Sequence, residues 1–228
     1  MKGSENAGLL RRALVKGLSG VLGLGLMLFV PAGTFRYPGA WLLIAILFIP
    51  MLLLGLVLYR KMPELLEKRL SSKEKNGDQK AVIALSALLF LMVFVLSALD
   101  FRFGWSHLPA WVSFVAAAVF LAGYALYAEV MRENAYLSRT VEVQEGQKVV
   151  DTGLYGLVRH PMYLSTVLLF LSMPLVLGSP VAFLVILLGY PPVIAWRIRD
   201  EEKTLAAGLP GYEAYMRKVK YRVIPRIW

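Results

Sequence analysis

Long apolar blocks, each close to the length that crosses a hydrocarbon core as a helix, constrain this sequence more than any other feature. Four are uninterrupted, at residues 14–33, 40–59, 81–99 and 109–130. A helix rising about 1.5 Å per residue needs roughly 20 apolar residues to cross a core about 30 Å thick. Charge is kept to the block ends, with Lys16 near the start of the first and Glu129 near the end of the fourth. A fifth apolar region, 162–196, is broken by Gly178, Ser179 and Pro180 into two slightly short arms. It reads as a helical hairpin bent at Pro174 and at Pro191 and Pro192. The expected fold is an all-α integral membrane protein: four spanning helices plus a C-terminal helical hairpin. Composition agrees, since 58% of the residues are hydrophobic and 18% charged.

The loops set an orientation. Of 25 lysines and arginines, all but Arg36 and Arg102 lie in the N-terminal tail, after the second block, after the fourth, or beyond the hairpin. Basic residues collect on the cytoplasmic side of spanning segments, so both termini and residues 131–161 are expected there. The same bias accounts for the net charge of +10 without nucleic acid. No basic, aromatic-interleaved surface stands apart from the spans. The lack of cysteine excludes disulfides, thiolate metal sites and a cysteine nucleophile, and two histidines are too few for a histidine-rich metal site. Residues 63–70 read as a short interfacial helix with Leu65, Leu66 and Leu70 toward lipid. Residues 71–80 form a polar loop, and 141–144 alternate as a strand does, outside the hydrocarbon region. The chain divides into spans (1–130) and a polar-rich region holding the chemistry (131–228).

Three polar clusters follow the fourth span. Glu129, Arg132, Glu133 and Asn134 end it; Glu129 has a local partner in Arg132. Gly153, Leu154, Tyr155, Arg159, His160, Pro161 and Tyr163 then enter the hairpin, with Pro161 suited to a first helical turn, where its missing N–H costs nothing. Arg197, Arg199, Glu201 and Glu202 leave it. Helical spacing allows Arg197 to pair with Glu201 and Arg199 with Glu202, as a surface ladder would. A hairpin, however, returns the chain to the face it left. Cationic, anionic and aromatic groups therefore converge at one membrane face, as a small-molecule site requires. Tyr212, Tyr215 and Val219 share a helical stripe and read as packing.

The ordered set Gly153-x-Tyr155-x-x-x-Arg159-His160-Pro161-x-Tyr163, an apolar hairpin, Arg197-x-Arg199-x-Glu201-Glu202-x-x-Leu205 and Gly211-Tyr212-x-x-Tyr215 resembles the isoprenylcysteine carboxyl methyltransferase family. The resemblance covers about 134–228 and includes Asn134, Gln144 and Val150. Membrane phospholipid methyltransferases share parts of the pattern, as do the C-terminal halves of membrane sterol and steroid reductases. Leu154 stands where many members have proline, and Ser165 supplies the small residue that follows the tyrosine. The resemblance implies a membrane-embedded enzyme that binds S-adenosylmethionine in a cytoplasmic pocket without a dinucleotide-binding domain. No Gly-x-Gly-x-x-Gly follows any strand here. Carried over, Gln144, Val150, Gly153, Leu154, Tyr155, Arg159, His160 and Tyr163 line the cofactor pocket. Glu201 or Glu202 holds the cofactor's polar or cationic end, and Arg197 or Arg199 orients the acceptor or the glutamates. The implied acceptor is lipophilic and enters from the bilayer. The carboxylate of a prenylated cysteine is the founding case; a phospholipid, an isoprenoid or a small hydrophobic acid fits equally. Two other readings remain: an NADPH-dependent membrane reductase of the sterol-reductase type, and a non-enzymatic transporter or assembly protein, which would place polar residues inside the spans.

Overall fold

A computed structural model describes residues 2–70, 77–137 and 142–228. The loop expected at 71–80 falls largely outside these residues, and Val141 of the expected strand does too. The described part of that strand, 142–144, is neither helix nor strand. The described elements are α1 (Lys2–Ala32), α2 (Pro38–Lys61), α3 (Pro63–Leu70), α4 (Gly77–Phe103), α5 (Ala110–Glu133), a single 3-10 turn (Gly153–Gly156), α6 (Pro161–Val176), α7 (Pro180–Gly208) and α8 (Tyr212–Lys218).

The chain is a helical integral membrane protein, and each expected span falls, to within one residue, inside a longer helix. Among the described residues five helices are long and apolar enough to cross a membrane: Gly8–Ala32, Pro38–Lys61, Lys80–Phe103, Ala110–Glu133 and Pro180–Gly208. The hairpin is less symmetric than its sequence suggested. Its first arm, α6, has 16 residues, whereas α7 runs unbroken for 29, through Pro191 and Pro192 and on through Glu201 and Glu202. Helix α6 begins with Pro161 in its first turn, as expected. Ser179 caps α7 by accepting a hydrogen bond from the Ala182 N–H at 3.1 Å.

The outer surface confirms what solvent these helices face. Leu18, Leu22, Leu26 and Val30 form an i,i+4 stripe along α1, and each is about two-thirds exposed. An unbroken apolar stripe of this kind suits lipid and not water. Inside, α5 packs along α6, and α4 packs between α1 and α7. Close approach of α5 to α6 depends on Gly123, where a Cβ would come within 3.1 Å of Leu168 and Leu169 side-chain carbons. Leu28, Tyr37, Leu43, Phe120 and Val176 are buried where α1, α2, α5 and α6 meet. Val93, Ile186, Ile198 and Val223 join α4, α7 and the C-terminal tail.

The interfacial helix exists as α3, but its orientation corrects the sequence reading. Leu65 and Leu66 are buried against Leu9, Leu58 and Met131, so they face the protein rather than lipid. Arg12 pairs with Glu67 at 3.0 Å, and the Lys16 ammonium donates to the Leu70 carbonyl.

At the opposite end, Asp100 holds three segments together. One carboxylate oxygen accepts from the Ser106 N–H at 2.8 Å; the other accepts from Ser106 Oγ at 2.6 Å and Ser179 Oγ at 2.5 Å. Tyr37 donates to the Leu177 carbonyl at 2.7 Å, tying α2 to the end of α6. These bonds replace the water that a buried carboxylate and phenol would otherwise need.

Exposed positions at the two ends test the orientation. His107 and Ala214 are both exposed. On intact cells, His107→Cys should react with an impermeant maleimide, and Ala214→Cys should react only after permeabilisation. The reverse pattern would invert the topology.

Candidate functional site

The site is built where α5 ends, α6 begins and α7 ends. The turn before α6 is fixed first. Gly153 has φ of +55°, and a Cβ there would overlap the Glu133 carboxylate. That carboxylate accepts from the Leu154 N–H at 3.0 Å, so the end of α5 holds the 3-10 turn. Asn134 donates to Tyr155 Oη at 2.9 Å, and Tyr215 donates to the Tyr155 carbonyl at 2.8 Å. Burial is the main influence raising the Tyr155 pKa, opposed by the Asn134 bond and reinforced by Glu201, so the phenol stays protonated.

The Arg159–His160–Pro161 segment is strapped to the C-terminal tail. The Arg159 N–H donates to the Tyr221 carbonyl at 2.9 Å and the His160 N–H to the Arg222 carbonyl at 2.8 Å. The Arg159 guanidinium donates to the Val219 and Lys220 carbonyls at 2.8 and 3.0 Å. Its Nε reaches one oxygen of Glu202 at 2.8 Å. His160 Nε2 lies 3.1 Å from the same oxygen and must donate to it, since a carboxylate only accepts. Arg222 covers the other oxygen at 3.0–3.1 Å. Glu202 is thus a buried anion ringed by two guanidiniums and an imidazole. The pairing expected with Arg199 does not form; Arg199 is exposed.

Glu201 has a different environment. Its side chain is 27% exposed, and Oε2 accepts from Tyr163 Oη at 2.5 Å. Arg197 Nε donates to the same phenol oxygen at 3.0 Å. Tyr163 therefore links Arg197 to Glu201, residues that the sequence placed one turn apart on a common face. His160 Nδ1 stands 4.0 Å from Glu201 Oε1, so the imidazole lies between the two glutamates.

These groups border an open cleft of about 870 Å³, its mouth included. Of the residues expected at the site, Val150, Tyr155, Arg159, His160, Tyr163, Arg197 and Glu201 line it. Gly153 and Leu154 do not; they shape the turn behind Tyr155. Glu202 sits behind the wall. Gln144 does not line the cleft either: its amide donates to the Tyr136 carbonyl at 2.6 Å, which braces the segment before the turn. Further contributors went unrecognised in the sequence, Tyr136 and Lys148 in the cleft wall among them. Glu133 and Arg222 brace the site, and Tyr212 and Tyr215, read as packing, are both packed and part of the cleft wall. The Gly211–Tyr212–Tyr215 spacing was the signal for the tyrosines. Arg222 gave none, being one more charge in a basic tail. Among the described residues no group of acidic or histidine side chains could hold a metal ion.

Residues 103–207 match the isoprenylcysteine carboxyl methyltransferase (ICMT) family, so the resemblance read from the motifs is shown over a stretch a little under half of the chain. The match takes in α5, α6, nearly all of α7 and most of the cleft wall, and ends before Tyr212. The chain is also similar to a Delta(14)-sterol reductase of Methylotuvimicrobium alcaliphilum, 24% identical over 135 residues, covering 53% of this chain and 32% of that protein. It is 28% identical over 91 residues to the mouse Delta(14)-sterol reductase TM7SF2, covering 39% of this chain and 22% of that protein. The chain thus spans a third or less of the length of these curated relatives.

The two glutamates should differ in stability. Glu202→Ala would leave Arg159, His160 and Arg222 crowded without their anion, a loss of about 3–5 kcal/mol. Glu201→Ala leaves Tyr163 bonded to Arg197 and should cost roughly 1–2 kcal/mol. Thermal midpoints in detergent should fall much further for Glu202→Ala; equal falls would contradict the assigned geometry.

Proposed function

We propose that this protein is a membrane-embedded, S-adenosylmethionine-dependent methyltransferase acting on a lipophilic acceptor that reaches the cleft from the bilayer, at the cytoplasmic face. One observation carries the reading. Arg159, His160 and Tyr163 meet Glu201 and Glu202 across the hairpin, about forty residues away in sequence, within a cleft whose wall belongs largely to the matched methyltransferase stretch.

The residues present fit such a cofactor. S-adenosylmethionine, when bound, supplies an electrophilic methyl group on a sulfonium. Glu201 offers a partly desolvated carboxylate to a cationic ligand, where attraction is far stronger than at an exposed site. Tyr163 holds that carboxylate in place. Tyr155, braced by Asn134 and Tyr215, lines the cleft. Glu202 acts through others: it aligns His160 and Arg159 without touching the ligand. Arg197, anchored on Tyr163, is placed to orient an anionic acceptor. A carboxylate acceptor is ionised near neutral pH and needs no general base, and an amine acceptor could pass its proton to Glu201. The protein's task is alignment and exclusion of water, which suits a site framed by helix ends.

The two sterol-reductase relatives favour a second reading, an NADPH-dependent membrane reductase. It would need cations for the 2′-phosphate, for which Lys148 and Arg197 in the cleft wall are the candidates.

Tritium transfer from labelled S-adenosylmethionine into a membrane lipid extract, with the product identified by mass, tests the first reading and names the acceptor. His160→Ala, Glu201→Gln and Glu202→Gln should each lower turnover on the order of a hundredfold or more. Glu67→Gln should leave it unchanged, because the Arg12–Glu67 pair is well exposed and worth under about 1 kcal/mol. Near-wild-type turnover in all three folded site variants would refute the assignment.

A further inference from the structure

Five tyrosines line the cleft, and four of their hydroxyls are committed to the protein. Tyr136 donates to the Gly146 carbonyl, Tyr155 accepts from Asn134, Tyr163 joins Arg197 to Glu201, and Tyr215 donates to the Tyr155 carbonyl. Tyr212 is the exception. It is 4% exposed, and among the described residues its buried hydroxyl has no hydrogen-bond partner. A phenol sealed from water with no partner carries its full desolvation cost, and folded proteins rarely keep one without a use. Packing beside Leu209, Tyr215 and Val219 would be served as well by phenylalanine.

Burial, then the charges of Glu201 and Glu202, raise the Tyr212 pKa, and Arg159 opposes them only in part. The proton stays on. Glu201, partly exposed in the same cleft wall, is the counter-charge open to a ligand group that brings positive charge and donates hydrogen bonds.

We propose that Tyr212 Oη is a ligand-binding group that accepts a hydrogen bond from the ammonium of the amino-acid tail of bound S-adenosylmethionine, with Glu201 as the neighbouring counter-charge. The inference rests on the cofactor reading above and extends it to a residue outside the matched family stretch. Tyr212 then sets where the tail lies, while Tyr155 and the turn before α6 border the rest of the ligand.

The test uses Tyr212→Phe in the full-length detergent-solubilised protein and needs no turnover. Two probes are titrated calorimetrically: S-adenosylhomocysteine, which keeps the amino-acid tail, and methylthioadenosine, which lacks it. Tyr212→Phe should weaken the first by tenfold or more, the range of a hydrogen bond to a charged group, and leave the second unchanged. Removing an orphaned hydroxyl should also leave the thermal midpoint of the ligand-free protein unchanged or raise it. Unchanged S-adenosylhomocysteine affinity, equal weakening of both probes, or a lowered ligand-free midpoint would each overturn the proposal. If wild-type protein bound neither probe, the cofactor reading itself would fall, and this inference with it.

Discussion

The Glu202 carboxylate is the constraint on which the site depends. It is 7% exposed, and both of its oxygens are used: one by Arg159 and His160, the other by Arg222. A buried anion is tolerable only when paired and fully hydrogen-bonded, and the pairing here joins the segment before α6, the end of α7 and the C-terminal tail. Once those three are fixed, little freedom remains for the rest. His160 is held between the glutamates, Tyr163 falls against Glu201 and Arg197, and the tail closes over Arg159. The cleft is what this clamp leaves open on the Glu201 side.

The bilayer supplies the second constraint. In lipid the backbone must satisfy itself, which leaves helices as the scaffold and pushes irregular chain to the membrane faces. The 3-10 turn and residues 142–152 sit at the ends of α5 and α6 accordingly. Side chains projected from helix ends are held more firmly than side chains on free loops. At the far end, Asp100 and its two serines tie α4 to the start of α7. The helix that carries Glu201 and Glu202 is thereby anchored at both ends.

Much of this was legible in the sequence, for identifiable reasons. Apolar block length reports directly on spanning helices, and a hairpin must bring its ends together, so the meeting of His160 with the glutamates followed from topology alone. Other features depend on tertiary direction that a linear pattern does not carry. Glu201 and Glu202 are adjacent and chemically identical; only the roughly 100° turn between neighbouring helical residues sends one to the cleft and the other behind its wall. Leu65 and Leu66 satisfy an interfacial pattern whichever side they face, and the packing of Leu9 and Met131 decided for the protein. The second hairpin arm looked short because its charged end, from Arg197 onward, continues the same helix beyond the apolar run. Arg222 and Glu133 were invisible because bracing a site needs no local motif, only a partner far away in sequence.

The proposed occupant of the cleft beside Glu201 is a sulfonium-bearing adenosyl cofactor rather than a nicotinamide one. Calorimetric titration of the detergent-solubilised wild-type protein with S-adenosylhomocysteine and, separately, with NADPH addresses it directly. Saturable binding of S-adenosylhomocysteine and none of NADPH is the expected result. Saturable NADPH binding, with S-adenosylhomocysteine giving no heat above dilution, would contradict it and assign the cleft to a reductase.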